Sequence, residues 1–142
     1  MSKPNHTGRC LCGAVRYEIM GKVAGVAYCH CSKCRNFHGN VAAYVMTTMS
    51  DLKLIEEGGL KWFRSVTDET PNVYRGFCDQ CGSSLFWDPR GEERIAVAAG
   101  SLDEPTGLKS LGHSWITQKA DYYDINDDLP KYFEGWGKDK KK

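Results

Sequence analysis

The chain has 142 residues, a length that suits one folded domain, and 41% of them are hydrophobic, enough for a buried core. The formal net charge is only +1, which argues against nucleic acid or an anionic membrane surface as a partner. Residues 1–9 lack the apolar core of a secretion signal, and no segment approaches the roughly 20 apolar residues of a membrane span. We therefore expect a cytoplasmic protein in a reducing compartment.

The sequence pattern is rich in β-structure. Residues 15–19 alternate between apolar and charged side chains, which predicts a half-buried strand. Runs of apolar, β-branched and aromatic residues predict further strands at 22–28, 41–48, 60–64, 73–77, 84–87 and 95–99. Residues 32–37 predict a single helical turn, and segments rich in Gly and Pro predict the turns between strands. The sequence thus predicts a mainly β fold.

Seven cysteines carry most of the functional information. They occur as C-x-C, C-x-C-x₂-C and C-x₂-C, formed by Cys10 and Cys12, by Cys29, Cys31 and Cys34, and by Cys78 and Cys81. In a reducing compartment, clustered cysteines bind metal rather than form disulfides. Zinc takes four protein ligands in a structural site and three in a catalytic site, so seven cysteines divide into four plus three. An iron–sulfur cluster is the alternative, but short knuckles without a longer four-cysteine run favour zinc.

The spacing explains how neighbouring thiols meet. Residues i and i+2 of an extended segment face the same side, so Cys10 and Cys12 can present two sulfurs to one metal. Cys78 and Cys81 flank a tight turn in which Gly82 can adopt positive φ. Spacing alone leaves the division open, because Cys10 and Cys12 could share a metal with either of the other clusters.

Residues 29–35 resemble the signature C-H-C-S-x-C-R of the glutathione-dependent formaldehyde-activating family, which also includes centromere protein V. Three more segments match in order. They are 8–15 with G-x-C-x-C-G-x-V, 77–83 with F-C-x-x-C-G-S, and 100–105 with G-[ST]-L-D-x-P. Closing segments at 113–115 and 129–135 extend the resemblance over roughly residues 7–136.

The resemblance implies a β-tent fold of small twisted antiparallel sheets clipped by zinc. It implies a zinc domain over 7–136, between a flexible N-terminus at 1–6 and a charged, disordered tail at 137–142. Two zinc ions per chain are implied. The structural ion would be held by Cys10, Cys12, Cys78 and Cys81, and the catalytic ion by Cys29, Cys31 and Cys34.

The resemblance also implies a carbon–sulfur lyase similar to S-(hydroxymethyl)glutathione synthase, acting on a glutathione–formaldehyde or related thiol adduct. Three thiolates make zinc electron-rich, which favours delivery of a thiolate over polarisation of a carbonyl. Arg35 is the candidate contact for a glutathione carboxylate, and neutralising the thiolates is its alternative role. The competing function is a non-catalytic, two-zinc module for thiol binding or interaction.

Histidines near the second cluster have separate interpretations. His38 follows Cys34 by four residues, a common ligand separation, and would close the second site if it bound the metal. For His30, between two ligands, we expect a structural or hydrogen-bonding role. His113 and Trp115 are predicted to approach the pocket, with core packing as the alternative for Trp115.

Overall fold

The computed structural model describes residues 3–67 and 70–137. Ten strands in two sheets and one α-helix confirm the predicted mainly β class for the described residues. The strands are β1 His6–Arg9, β2 Arg16–Ile19, β3 Val26–Cys29, β4 Ala42–Thr48, β5 Leu52–Glu56, β6 Leu60–Arg64, β7 Val73–Cys78, β8 Ser84–Pro89, β9 Arg94–Ala98 and β10 Ser110–Ser114. The helix α1 is Ser32–His38, and 3-10 turns occupy Ala99–Ser101 and Ile116–Gln118. No helix among these residues is long and apolar enough to cross a membrane.

The chain forms two compact units. The first comprises the residues up to Val23 together with Val45–Gly107, and the second comprises Ala24–Tyr44 with the residues from Leu108 onward. Strand β4 begins in the second unit and ends in the first. The predicted domain limits remain a prediction, and apart from Gly137 the predicted tail lies outside the described residues.

The first unit has an apolar core between strands. It contains the three-stranded sheet β1-β2-β5, and strands β9, β8, β7 and β6 follow one another beside the end of β4. Alternation buries Tyr17 and Ile19 of β2, as the period-2 pattern predicted. The Tyr17 ring packs edge-on against Phe86 of β8, with ring centroids 5.5 Å apart. This packing joins β2 of the three-stranded sheet to β8 across one core.

The second unit has a smaller and more polar interior. Strand β3 pairs antiparallel with β4, and β10 runs parallel to β3, whereas the sequence resemblance implied antiparallel sheets. In this register Cys29 lies opposite Ala42 on one side and Ser114 on the other. His30 and His113 are both buried, at 2% and 6% exposure. Buried imidazoles need hydrogen-bond partners, so polar bonds as well as packing hold these segments.

Most predicted elements lie within a residue or two of the observed ones, but three strands were not predicted. These are β1, β5 and β10. They are short, and β10 contains the sequence Ser-Leu-Gly-His-Ser, which has little β-propensity of its own. The observed β3 is shorter than the predicted strand at 22–28, because Gly25 has φ +152° and its backbone lies against Lys109 and Leu111.

Candidate metal centres

The first unit brings four thiols together. The Sγ atoms of Cys10, Cys12, Cys78 and Cys81 all lie within 4.8 Å of one another. Cys12 Sγ lies 3.7 Å from Cys10 Sγ and 3.7 Å from Cys78 Sγ. Four thiolates bound tetrahedrally to zinc at about 2.3 Å would be about 3.8 Å apart, so this donor set fits zinc. None of the seven cysteines forms a disulfide.

Two tight turns create this four-thiol group. The Gly13 N–H bonds the Cys10 carbonyl, and Gly13 has φ +84°, a conformation that glycine adopts without strain. In the second turn, the Gly82 N–H bonds the Cys78 carbonyl, and Gly82 has φ +80°. The Leu11 N–H donates to Ser83 Oγ at 2.9 Å and joins the two turns. Each C-x-C or C-x₂-C segment is therefore a preformed knuckle.

Hydrogen bonds reach the sulfurs of this group. The Val15 N–H donates to Cys10 Sγ at 3.2 Å, and the Gln80 N–H donates to Cys78 Sγ at 3.4 Å. The Ser83 hydroxyl lies 3.2 Å from Cys81 Sγ. With the Ser83 N–H, it lowers the pKa of Cys81 to about 5. Such bonds stabilise thiolates and orient them toward a metal.

The same four sulfurs oppose full ionisation in the absence of a cation. The Ala14 N–H favours the Cys12 thiolate, but burial and the neighbouring thiols of Cys10 and Cys78 raise the pKa of Cys12 to about 11. Within the four-thiol group, the pKa of Cys81 is thus lowered and the pKa of Cys12 is raised. A divalent cation removes this conflict, because coordinated thiols are deprotonated.

The second unit brings three thiols together. Cys29 ends β3, Cys31 is the N-cap of α1, and Cys34 lies in the first turn of that helix. Their Sγ atoms lie within 4.8 Å of one another. The Cys34 N–H donates to Cys31 Sγ at 3.3 Å, so the sulfur of Cys31 caps the helix. Among the described residues, this group contains no fourth His, Cys, Asp or Glu.

The electrostatics of the three-thiol group also fit a cation. The thiols of Cys31 and Cys34 raise the pKa of Cys29 far above its ordinary value, and burial adds to this effect. Three adjacent thiolates repel one another, so they need a bound positive charge to ionise together. The donor set is sulfur only, which suits zinc and other soft cations.

His38 is not a member of the three-thiol group. Its Nε2 lies 2.6 Å from the hydroxyl of Tyr44, a residue of β4. The Tyr44 hydroxyl in turn donates to Cys34 Sγ at 3.8 Å. Two hydrogen bonds, with Tyr44 between them, therefore connect His38 to Cys34. Tyr44 was not predicted, because a tyrosine in an apolar strand gives no signal of function.

Arg35 braces the loop around the three thiols. Its Nε donates to the His30 carbonyl at 3.2 Å, and its Nη2 donates to the Gln118 carbonyl at 3.0 Å. The Gln118 side chain accepts the Ser32 N–H at 2.9 Å at the start of α1. Arg35 and Gln118 thus tie α1 to the segment after β10. The guanidinium has five N–H groups, and these two bonds use two of them.

His30 belongs to a buried hydrogen-bonded series, as expected for a structural role. Its Nδ1 lies 2.6 Å from the Tyr123 hydroxyl, and its Nε2 lies 2.8 Å from His113 Nδ1. His113 Nε2 lies 2.8 Å from Asp127 Oδ2. Burial and the neighbouring His113 lower the pKa of His30 to about 4. Tyr123 and Asp127 were not predicted, because their partners are distant in sequence.

Trp115 has an unusual backbone. It is a non-glycine residue with φ 55°, and its N–H bonds the Glu134 carbonyl at 2.8 Å. It follows Ser114, the residue paired with Cys29. Its side chain is half-buried, so its approach to the pocket and its core packing both stay predictions.

Comparison with known proteins identifies a matching family. Residues 5–118 match the sequence model of the family described as glutathione-dependent formaldehyde-activating enzyme. Among solved structures, the crystal structure of a Rhodobacter sphaeroides protein is similar to this chain, with a TM-score of 0.57 and 27% sequence identity. The match covers 76% of this chain and 99% of that protein. The family match includes the three-thiol group and all four cysteines of the other group.

Proposed function

Because this chain belongs to the glutathione-dependent formaldehyde-activating enzyme family, we propose that it is a cytoplasmic, zinc-dependent carbon–sulfur lyase or synthase. Its reaction resembles that of S-(hydroxymethyl)glutathione synthase, and its substrate is the glutathione–formaldehyde adduct or a related thiol adduct. One observation carries the proposal. The second unit gathers three thiols, and the described residues add no fourth His, Cys, Asp or Glu ligand to them.

The two groups have different roles in this proposal. Cys10, Cys12, Cys78 and Cys81 would hold a structural zinc, since four thiolates complete its coordination. Cys29, Cys31 and Cys34 would hold a catalytic zinc. A zinc ion with three protein ligands supplies a site at which an incoming thiol is bound and its pKa is lowered.

The surrounding residues orient the substrate. Arg35 braces the loop through Nε and Nη2 and offers its remaining guanidinium edge to a carboxylate of the tripeptide. The Tyr44 hydroxyl, on β4, donates to Cys34 Sγ on α1. These contacts hold Cys34 and the loop around the thiols in place before substrate arrives, which lowers the cost of organising the site.

Exchange NMR tests this function. A mixture of glutathione and formaldehyde exchanges with its hydroxymethyl adduct spontaneously, and the zinc-loaded protein should accelerate that exchange. Cys34→Ser should abolish the acceleration. Cys81→Ser should unfold in part, and the molecules that stay folded should retain the acceleration. Binding of glutathione without acceleration would favour the alternative, a thiol-binding module. Absence of both would refute the glutathione assignment.

A further inference from the structure

The side chain of Gln118 lies at the start of α1, next to the three-thiol group. Its Oε1 atom accepts the Ser32 N–H at 2.9 Å and the Ser32 hydroxyl at 3.3 Å. Ser32 directly follows Cys31, one of the three thiols. Gln118 is exposed, and the half-buried Arg35 donates to its carbonyl at 3.0 Å. An amide group that solvent and small molecules can reach therefore lies beside the thiols.

The bonds from Ser32 fix the orientation of the Gln118 amide. A backbone N–H can only donate, so the amide atom that faces Ser32 must be the oxygen. The amide nitrogen then points away from Ser32. Among residues 3–67 and 70–137, Gln118 Nε2 has no hydrogen-bond partner. Both of its N–H groups are therefore available to an acceptor on a bound molecule.

The backbone that carries Gln118 is firmly held. Gln118 ends a 3-10 turn that begins after Trp115, and a non-glycine residue at φ 55° is strained. The Trp115 N–H bonds the Glu134 carbonyl at 2.8 Å, and the Gln118 N–H bonds the Trp115 carbonyl at 3.0 Å. Such strain persists only where the surroundings impose it, and it is concentrated at active sites and ligand clamps. The position of the Gln118 amide is thus set before any molecule binds.

We propose that Gln118 is a specificity-determining residue of the three-thiol site, where its amide donates a hydrogen bond to a peptide carbonyl oxygen of the bound thiol. A neutral amide suits a neutral carbonyl, whereas the guanidinium of Arg35 suits a carboxylate. In glutathione, peptide bonds flank the residue that carries the thiol, so a carbonyl oxygen lies a few bonds from the sulfur. The site thus distinguishes a peptide thiol from a simple alkyl thiol. The identity of the bound thiol as glutathione rests on the proposed function.

Two substitutions separate a role in binding from a structural role. In Gln118→Glu, one carboxylate oxygen still accepts the Ser32 N–H, and the other replaces the NH₂ group, so an acceptor faces the substrate carbonyl. Gln118→Ala removes the bonds to Ser32 as well. If Gln118 only holds the start of α1, Gln118→Glu should behave like the wild type and Gln118→Ala should not. If its amide binds the thiol, both variants should bind glutathione more weakly.

Calorimetric titration of the full-length, zinc-loaded protein compares these variants. We expect glutathione to bind Gln118→Glu about tenfold more weakly than the wild type, because one hydrogen bond is lost. Ethanethiol, which has no carbonyl oxygen, should bind both proteins equally. Asn36→Asp adds the same negative charge at an exposed position of α1 and should leave the affinity for glutathione nearly unchanged. Undiminished glutathione affinity in Gln118→Glu would overturn the proposal, and so would an equal loss for ethanethiol or in Asn36→Asp.

NMR of the side-chain amides provides a readout that does not depend on turnover. The chain has two glutamines, Gln80 and Gln118, so nitrogen-15 labelling of glutamine yields two amide groups. Glutathione should shift the signals of the Gln118 amide and leave those of Gln80, between Cys78 and Cys81, unchanged. If glutathione binds without shifting Gln118, the donor role is refuted and the proposed function stands. If glutathione does not bind the wild type, the glutathione assignment and this inference both fail.

Discussion

Cys12 Sγ and Cys78 Sγ lie 3.7 Å apart, although 66 positions separate the two residues in the sequence. This is close to the sulfur–sulfur separation expected in a tetrahedral zinc–thiolate site, about 3.8 Å. A metal bound here would close a long loop of the chain. Because the unfolded chain does not preform such a site, its metal-binding free energy would become folding free energy.

The first prediction concerns metal content. Freshly purified protein should carry two zinc ions per chain, and a chelator should remove one of them first. The three-thiol group should lose its ion sooner, because it has fewer protein ligands than the four-thiol group. Elemental analysis during timed chelation measures this difference. A single metal ion, or iron in place of zinc, would contradict the two-zinc arrangement.

The second prediction separates the two thiol groups by stability. Cys78→Ser should unfold far more readily than the wild type, because a structural zinc contributes on the order of 10 kcal/mol in small domains. Cys34→Ser is the matched change, since both thiols are buried. It should leave a folded protein that binds one zinc ion and lacks activity. Thermal unfolding with metal analysis provides the comparison, and equal destabilisation would show that the second group is also structural.

The third prediction uses two adjacent glycines. A Cβ at Gly59 would lie 2.8 Å from Cys78 Sγ and 2.9 Å from the Ala14 Cβ, so Gly59→Ala must displace the thiol. We expect a loss of about 1–3 kcal/mol in the free energy of unfolding and faster zinc release from the four-thiol group. Gly58→Ala is the control, because its Cβ meets nothing within 4 Å. Equal effects of the two changes would rule out contact with the thiol as the cause.

The fourth prediction concerns glutathione binding. Glutathione should bind the zinc-loaded protein, whereas S-methylglutathione should not, because it cannot supply a thiolate. Arg35→Ala should weaken binding about tenfold through the loss of a charge-assisted bond to a carboxylate. Lys33→Ala, which removes an exposed cation from the same helix, should have little effect. Calorimetric titration measures all four affinities, and parallel losses in both variants would indicate a general charge effect.

The fifth prediction concerns pH. Burial acts to raise the pKa of Asp127, but the bonds from His113, Leu129 and Lys131 outweigh it and lower that pKa. A carboxyl whose folded-state pKa is lowered stabilises the fold fully above its unfolded value, about 3.9. The contribution is lost as pH falls through the folded-state pKa.

Carbon-13 NMR of the Asp127 carboxyl in the folded protein should therefore find it more than half ionised at about pH 3.9. Lys131→Met, which removes one of the donors to Asp127, should move the midpoint upward. A midpoint in the wild type at or above about 3.9 would show that burial outweighs the bonds.

Sequence patterns located most of the β-structure because apolar alternation requires no knowledge of partners. Strand β6 was predicted over the same residues that the structure shows, and β2 differs by one residue. Strand β10 was not predicted, because its stability comes from pairing with β3 and from the bridge between His113 and Lys131 rather than from its own residues. Its parallel direction relative to β3 also depends on the path of the chain between the two strands and not on local sequence.

The sequence by itself indicated which residues are candidate metal ligands, because C-x-C and C-x₂-C spacing brings two thiols together within one turn of the backbone. Spacing did not determine which cysteine pairs come together, since Cys10 follows β1, Cys78 ends β7, and only the tertiary structure brings their thiols into one group. The tertiary structure alone decided the hydrogen-bonded series from Asp127 through His113 and His30 to Tyr123. His30 lies 83 positions from His113 and 93 positions from Tyr123, and no local pattern couples residues at such separations.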